Sequence, residues 1–185
     1  DALMPIKRDD NVEVDYAMIL TEAQQAQYKD VIPNTSDYLV RKPGSTTLVG
    51  IQIDGSRKDV TDPDSETFGI RPVILLAKPD AGTAEPIHWN IGDIVAKEID
   101  GETYMFQCID QNYSDRTENH KEAALFLCTS VIAADTGSEY EYEEQLDGTM
   151  DYVFYPGPIV NFGNSNDYKY SKIQKWLNSS SEDFY

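Results

Sequence analysis

Apolar positions in this chain cluster into short runs whose spacing is more strand-like than helical. The densest run is Phe68-Gly-Ile-Arg-Pro-Val-Ile-Leu-Leu-Ala77, and its near-continuous apolar character predicts a strand buried on both faces. The run Trp89-Asn-Ile-Gly-Asp-Ile-Val-Ala96 is expected to be its partner, the two forming the central antiparallel pair of a mixed sheet. Further strands are predicted at Tyr16–Leu20, at Asp37–Gly44 leading into a Pro-Gly turn, and over Thr46–Ile53, where Asp54-Gly55 signals a tight turn. Trp89–Ile99 and Glu102–Ile109 flank Asp100-Gly101, the clearest hairpin signal in the sequence. Ala123–Ile132 reads equally as a strand or as an apolar helix.

Two helices are predicted from their starts. Thr21-Glu-Ala-Gln24 and Ser171-Lys-Ile-Gln174 both have capping-box spacing, in which the hydroxyl accepts from the third amide and the Gln side chain reaches back. The first helix should run to about Val31, before Pro33, with Ala23, Ala26 and Val31 on its apolar face and Tyr28 at the margin. The second should present Ile173, Trp176 and Leu177. Polar loops are expected at Ser56–Thr67, Lys78–Pro86, Gln111–Lys121 and Ala133–Met150, the last without a Lys or Arg and read as solvated.

Composition adds bounds. At 185 residues the chain makes one domain or two small ones with a real core. A net charge of −18 argues against nucleic acid, whose phosphates must be neutralised by Lys and Arg, and against an anionic membrane surface. It fits the solubility of an extracellular protein, or else bound cations or a basic partner. No apolar run approaches a membrane span, so no membrane insertion is expected. The start at Asp1-Ala2-Leu3 has neither an initiator Met nor a signal-peptide pattern and reads as a mature product or an expressed segment. The cysteines, Cys108 and Cys128, fit no zinc spacing. They are either bridged across neighbouring strands or buried as small hydrophobes.

Candidate chemistry is sparse. The histidines, His88 and His120, are accompanied by no nucleophile elbow, and neither cysteine has a basic neighbour in sequence. With 33 acidic residues some carboxylate pair always has suitable spacing, so such spacing carries no signal for glycoside hydrolysis. Asp62-x-Asp64-x-Glu66 alternates like a calcium loop, but Thr67 and Val73 stand where the EF-hand needs Gly and Glu. Solvated turns are the better reading there and at Asn164/Asn166/Asp167, with a looser calcium site as the alternative. No cofactor or metal is otherwise implied. Tyr38, Tyr140, Tyr142, Tyr152, Tyr155, Tyr168 and Tyr170 lie in or beside Asn/Ser/Gly/Asp-rich stretches. They either form a binding surface of rigid rings and adaptable polar groups, or cover the rim of the core.

Several segments together resemble the C-type-lectin-like domains of gut Firmicutes surface and prophage proteins, related in fold to the formylglycine-generating-enzyme type and to retroelement-diversified variable proteins. The segments are Ile87-His-Trp-Asn-Ile-Gly-Asp93, Ser171–Leu177 with Asp183-Phe-Tyr185, Tyr38-Leu-Val-Arg-Lys-Pro-Gly44, Asp54-Gly55 and Phe68-Gly-Ile-Arg-Pro-Val73. In that family they are similar to the first strand, the first long helix, a Trp-Leu-Arg-Ser-Pro-Gly strand, a turn and the last strand. Here the "last" strand precedes the "first". The order implies a window across tandem copies, a permutation or a missing middle segment.

The resemblance implies an α+β, C-type-lectin-like fold: a twisted antiparallel sheet flanked by two helices. It spans 1–185 as a single domain, or as two half-domains, 1–80 of C-terminal type and 84–185 of N-terminal type, which strand exchange in a homo-oligomer would complete. It implies a non-enzymatic ligand-recognition module, extracellular, on a bacterial surface or a phage or prophage particle, binding protein or glycan. By position in the diversified relatives, Tyr38, Arg41, Gln52, Ser56 and Arg57 correspond to the binding surface. Cys108 and Cys128 do not match the reactive pair of the enzyme branch. The alternative is an extracellular structural or self-assembling module of a tandem-repeat surface protein.

Overall fold

The structure is a computed structural model and describes residues 3–4, 6–7, 14–61, 68–77, 88–99, 101–113, 123–132, 139–144, 148–155 and 167–178. Its strands are β1 (Leu3–Met4), β2 (Ile6–Lys7), β3 (Val14–Asp15), β4 (Ala17–Ile19), β5 (Tyr38–Arg41), β6 (Leu48–Ile51), β7 (Arg57–Val60), β8 (Pro72–Ala77), β9 (Ile94–Ile99), β10 (Glu102–Tyr113), β11 (Ala123–Cys128), β12 (Glu139–Glu144) and β13 (Met150–Tyr155). The helices are α1 (Glu22–Tyr28) and α2 (Lys172–Leu177), the latter preceded by a 3-10 turn at Tyr168–Tyr170. All strand pairs among these elements are antiparallel, and with two helices the architecture is α+β.

The main sheet has six strands in the order β1-β8-β11-β10-β9, with β4 sharing the β1 edge of β8. The strand predicted to be central, β8, is central: its other edge is taken by β11, with Leu75 opposite Leu125 and Ile74 opposite Phe126. The partner expected for it was wrong. β9 lies at the far edge, and Trp89–Asp93, expected to begin that strand, forms a turn instead. The Asp100-Gly101 hairpin forms as expected, with Ile99 opposite Glu102 and Gly101 at φ +76°. Ala123–Cys128 resolves as strand rather than helix.

A second sheet, β5-β6-β7, meanders through the Asp54-Gly55 turn, where Gly55 has φ +82°. β7 falls within the stretch expected as a loop. It reads as loop because Arg57, Lys58 and Asp59 are exposed and Val60 alone is buried. Likewise β12 lies within the acidic stretch expected to be irregular, β13 begins at its last residue, and Gln111–Tyr113 continues β10. The sheets are joined where β4 and β8 part. There β5 enters between them, its Arg41 N–H donating to Leu20 O (2.9 Å) and its Leu39 N–H to Gly69 O (3.0 Å).

The first capping box forms in full; at the second only the hydroxyl half does, because the Ser171 N–H donates to Tyr168 O at 3.1 Å. Thr21 Oγ1 accepts from Gln24 N–H at 3.1 Å while Gln24 Oε1 accepts from Thr21 N–H at 2.9 Å. Ser171 Oγ accepts from Gln174 N–H at 3.0 Å and donates to Tyr168 O at 2.8 Å. α2 buries Ile173 and Leu177 as expected, and Asn178 at its end accepts from Tyr16 N–H and donates to Ala17 O, fastening the helix to β4. α1 departs from expectation. Ala23 and Ala26 are exposed, and the buried stripe is Gln25, Tyr28 and Ile32. A single hydrophobic cluster runs from Ile6 to Leu177 and draws on strands from both halves of the chain. No helix among the described residues is long and apolar enough to cross a membrane.

Candidate functional site

The residues expected to form the binding surface separate into two layers. Tyr38 and Arg41 are core residues, 1% and 7% exposed. The Arg41 guanidinium lies over the Tyr168 ring (5.6 Å), with Nε donating to Ile19 O at 3.4 Å. Tyr38 packs against the buried Arg71 guanidinium, 4.9 Å from its ring centroid. Neither side chain is presented for direct surface contact. Above them, Gln52, Ser56 and Arg57 stay together at the β6–β7 turn. Ser56 Oγ donates to Gln52 Oε1 at 2.6 Å. Arg57 turns back to α1, with Nη1 to Glu22 Oε1 at 3.0 Å and Nη2 to Gln25 Oε1 at 2.9 Å. That exposed ion pair contributes about 0.2–1 kcal/mol, and the amide bond satisfies the buried Gln25.

A concave site lies elsewhere, around the turn that precedes β9, and begins with an irregularity in β10. The β10–β11 register shifts between Cys108 and Asp110 and again between Asp110 and Tyr113. Such bulges break the two-residue alternation and re-aim side chains. Cys108 and Ile109 are therefore both buried, while Gln111 and Asn112 turn outward. Asp110 stabilises the bulge by accepting from Asn112 N–H at 2.8 Å and holds α1 by accepting from Tyr28 Oη at 2.6 Å. Gln24 Nε2 adds a bond to Tyr113 Oη at 3.0 Å.

The turn is pinned against this bulge. Gly92 N–H donates to Cys108 O at 2.9 Å, and Cys108 N–H donates to Asp93 O at 2.8 Å. Asp93 Oδ2 accepts from Asn90 N–H at 2.7 Å, and Gly92 takes φ +97°, a conformation costly for any residue with a Cβ. Trp89 meets the Phe126 ring edge-on, centroids 5.0 Å apart at 84°.

Two clefts share this turn and the bulged segment. One, of about 230 Å³, is lined by His88, Trp89, Asn90, Gln111 and Asn112. The other, of about 280 Å³, is lined by Gln27, Tyr28, Asp30, Val31, Ile91, Ile109 and Asp110. Both are slightly smaller than the roughly 300–1,000 Å³ of sites for drug-sized ligands, and suit one sugar ring or one side chain. The sequence offered little warning of them. The faint signals were an isoleucine inside a polar Asn-x-Gly-Asp turn and the Asp110-x-Asn112 pair.

No family model, curated protein or solved structure matches this chain. The function must therefore be argued from its own residues.

The thiols are buried and unbridged. Each lies opposite a phenylalanine, Cys108 facing Phe126 and Cys128 facing Phe106. Burial pushes Cys108 up to about 11, helped by the negative Asp93 and Asp110, and burial also pushes Cys128 up. Neither is a poised nucleophile. Burial raises the Tyr38 phenol too, against the opposing Arg71, Gln25 and Arg57; its hydroxyl lies beside Gln25 but outside hydrogen-bond geometry. The linkage has a definite sign. Above the thiol pKa of the unfolded chain, about 8.5, the unfolded state releases protons that the folded state keeps, so stability falls as pH rises. Urea midpoints should be level below about pH 8 and drop through pH 9–11. Cys108→Ala should flatten that drop relative to wild type, and native thiols should resist a disulfide reagent at pH 8 until urea opens the fold.

Among the described residues no group of His, Cys, Asp and Glu could hold a metal ion. The Asp62/Asp64/Glu66 candidate lies outside the described residues. Of the other, only Asp167 is described, and it caps the 3-10 turn by accepting from Lys169 N–H at 3.1 Å. His120 is likewise outside them. Tyr170 is exposed, Tyr168 is buried, and Tyr140, Tyr142, Tyr152 and Tyr155 occupy the β12–β13 hairpin.

Proposed function

We propose that this chain is a non-enzymatic ligand-recognition module of C-type-lectin-like fold, extracellular, displayed on a bacterial surface or a phage or prophage particle. The observation that carries recognition is the 230 Å³ cleft lined by His88, Trp89, Asn90, Gln111 and Asn112. A side-chain amide offers a donor and an acceptor side by side, which matches adjacent hydroxyls of a glycan or a peptide group of a protein. The edge-to-face contact with Phe126 gives the Trp89 ring a fixed orientation, so the site is built on a packed strand rather than on a loop alone. The fold assignment is supported by the capped α2 and the strand-to-turn segments at Tyr38–Gly44 and Asp54-Gly55; Gln52, Ser56 and Arg57 are the surviving surface candidates from that resemblance.

A second reading, a self-assembling extracellular module, is favoured by the edge strand β9. Ile94 and Met105 are exposed on one face of the β9–β10 pair, and among the described residues no strand pairs with the outer edge of β9, an arrangement that can pair with another chain. One experiment separates the two. The immobilised protein is screened against glycan and surface-protein arrays beside its His88→Ala/Gln111→Ala variant, both substitutions at exposed side chains. Capture that drops at least tenfold in the variant, with a melting temperature unchanged, supports recognition at this cleft. Equal capture by both proteins rejects it. No capture at all, with sedimentation showing concentration-dependent growth, supports self-assembly.

A further inference from the structure

The second cleft differs from the first in character. Its floor is apolar, made by Val31, Ile109, the Tyr28 ring and Ile91, which is 53% exposed inside an otherwise polar turn. Its acidic groups are Asp30 and Asp110, and among the described residues no Lys or Arg lines it. Asp110 is fixed, because Tyr28 Oη and Asn112 N–H both bind it. Asp30 makes no ion pair among the described residues. An apolar lining beside one fixed and one exposed carboxylate is complementary to a long alkyl stem ending in a positive charge. Lysine and arginine side chains have that form, and they bury the stem while keeping the charged head at the polar edge. The net charge of −18 steers a basic segment toward this acidic surface from a distance.

We infer that the cleft between α1 and the Asn90–Asp93 turn receives one arginine or lysine side chain from a basic segment of a protein partner. The inference shares the turn with the recognition cleft but does not depend on what fills that cleft. Gln111→Ala, which impairs the first cleft, should leave the second unchanged.

The test is a nuclear magnetic resonance titration of the whole chain with acetylated Gly-Gly-Arg-Gly-Gly amide, its norleucine counterpart and hexylamine. The arginine peptide should produce saturable shifts at the amides of Asp30, Ile91 and Asp110, and the norleucine peptide none. The Asp30→Asn/Ile91→Ser variant, altered only at exposed side chains, should weaken that binding at least fivefold with the rest of its spectrum unchanged. Equal shifts from the norleucine peptide would overturn the role of charge. Unsaturable shifts spread over the acidic surface, or wild-type binding by the double variant, would overturn the site. Tighter binding of hexylamine than of the arginine peptide would replace the protein partner with a free amine.

Discussion

Replacing Arg71 by alanine is expected to remove about 3–5 kcal/mol of stability, because it leaves two buried carbonyls unpaired at about 1–3 kcal/mol each and opens a cavity, and to leave the chain largely unfolded at moderate urea. Arg71 is 1% exposed and precedes the central strand β8. Its Nε donates to Cys128 O at 2.9 Å and its Nη1 to Pro33 O at 2.8 Å. The guanidinium therefore ties the end of β11 to the segment after α1 across the face of Tyr38. No carboxylate among the described residues pairs with it, and Nη2 has no hydrogen-bond partner there. Burial lowers its pKa, while Tyr38 and Cys128 act in the other direction. Arginine nonetheless keeps its proton in proteins. Alanine would orphan two buried carbonyls and open a cavity. Arg71→Met leaves the same two carbonyls unpaired but fills most of the cavity, so it should cost less than alanine. Arg71→Lys keeps the charge but cannot bond both carbonyls from one planar group. Urea denaturation followed by circular dichroism ranks the three. A loss under about 0.5 kcal/mol for alanine, the size expected of an ordinary surface substitution, would mean that the guanidinium is not buried in solution.

Gly50→Ala is expected to cost at least 1–3 kcal/mol through overpacking. Gly50 lies in β6 opposite Leu39 and Lys58, and the Phe68 ring rests directly on its Cα. A Cβ there would stand inside the van der Waals envelope of three ring carbons. The backbone is not in the left-handed region, so the requirement for glycine is contact rather than conformation. Phe68 is itself buried where the chain passes from the second sheet to β8, so it has little room to retreat. The cause can be isolated. Phe68→Leu alone should destabilise, but combined with Gly50→Ala the losses should fall well short of additive. Strict additivity in a double-mutant cycle would show that the ring and the glycine do not touch.

What the sequence made legible was local. The Thr21 and Ser171 caps and the Asp100-Gly101 turn are each fixed by a few adjacent residues, and each forms. The phase of α1 was not legible. Ala23 and Ala26 look apolar, but Gln25 is the residue that turns inward, because Arg57 from a distant strand satisfies its amide. β7 was missed because one buried residue in four leaves no alternation to read. The partner of β8 was missed because two apolar runs near in sequence seemed a natural pair. Pairing is decided by the whole sheet, where β11 offers a fully buried run and the pinned turn diverts Trp89–Asp93 outward. The clefts stayed hidden for a related reason. A bulge depends on register between strands, and no residue in β10 announces one. The resemblance drew attention to Tyr38 and Arg41, whose chemistry would suit a surface; their environment places them beneath it.

The antiparallel placement of β8 between early and late strands has a consequence during synthesis. Its β1 and β4 partners precede it, so one edge can be covered as it emerges. The other edge waits for β11, about fifty residues later, which at ~5–20 residues per second is on the order of 3–10 s. Throughout that interval Val73-Ile-Leu-Leu76 presents an open apolar edge. The nascent chain is most exposed to aggregation then, and a chaperone that shields extended apolar segments would have most effect on its yield during those seconds.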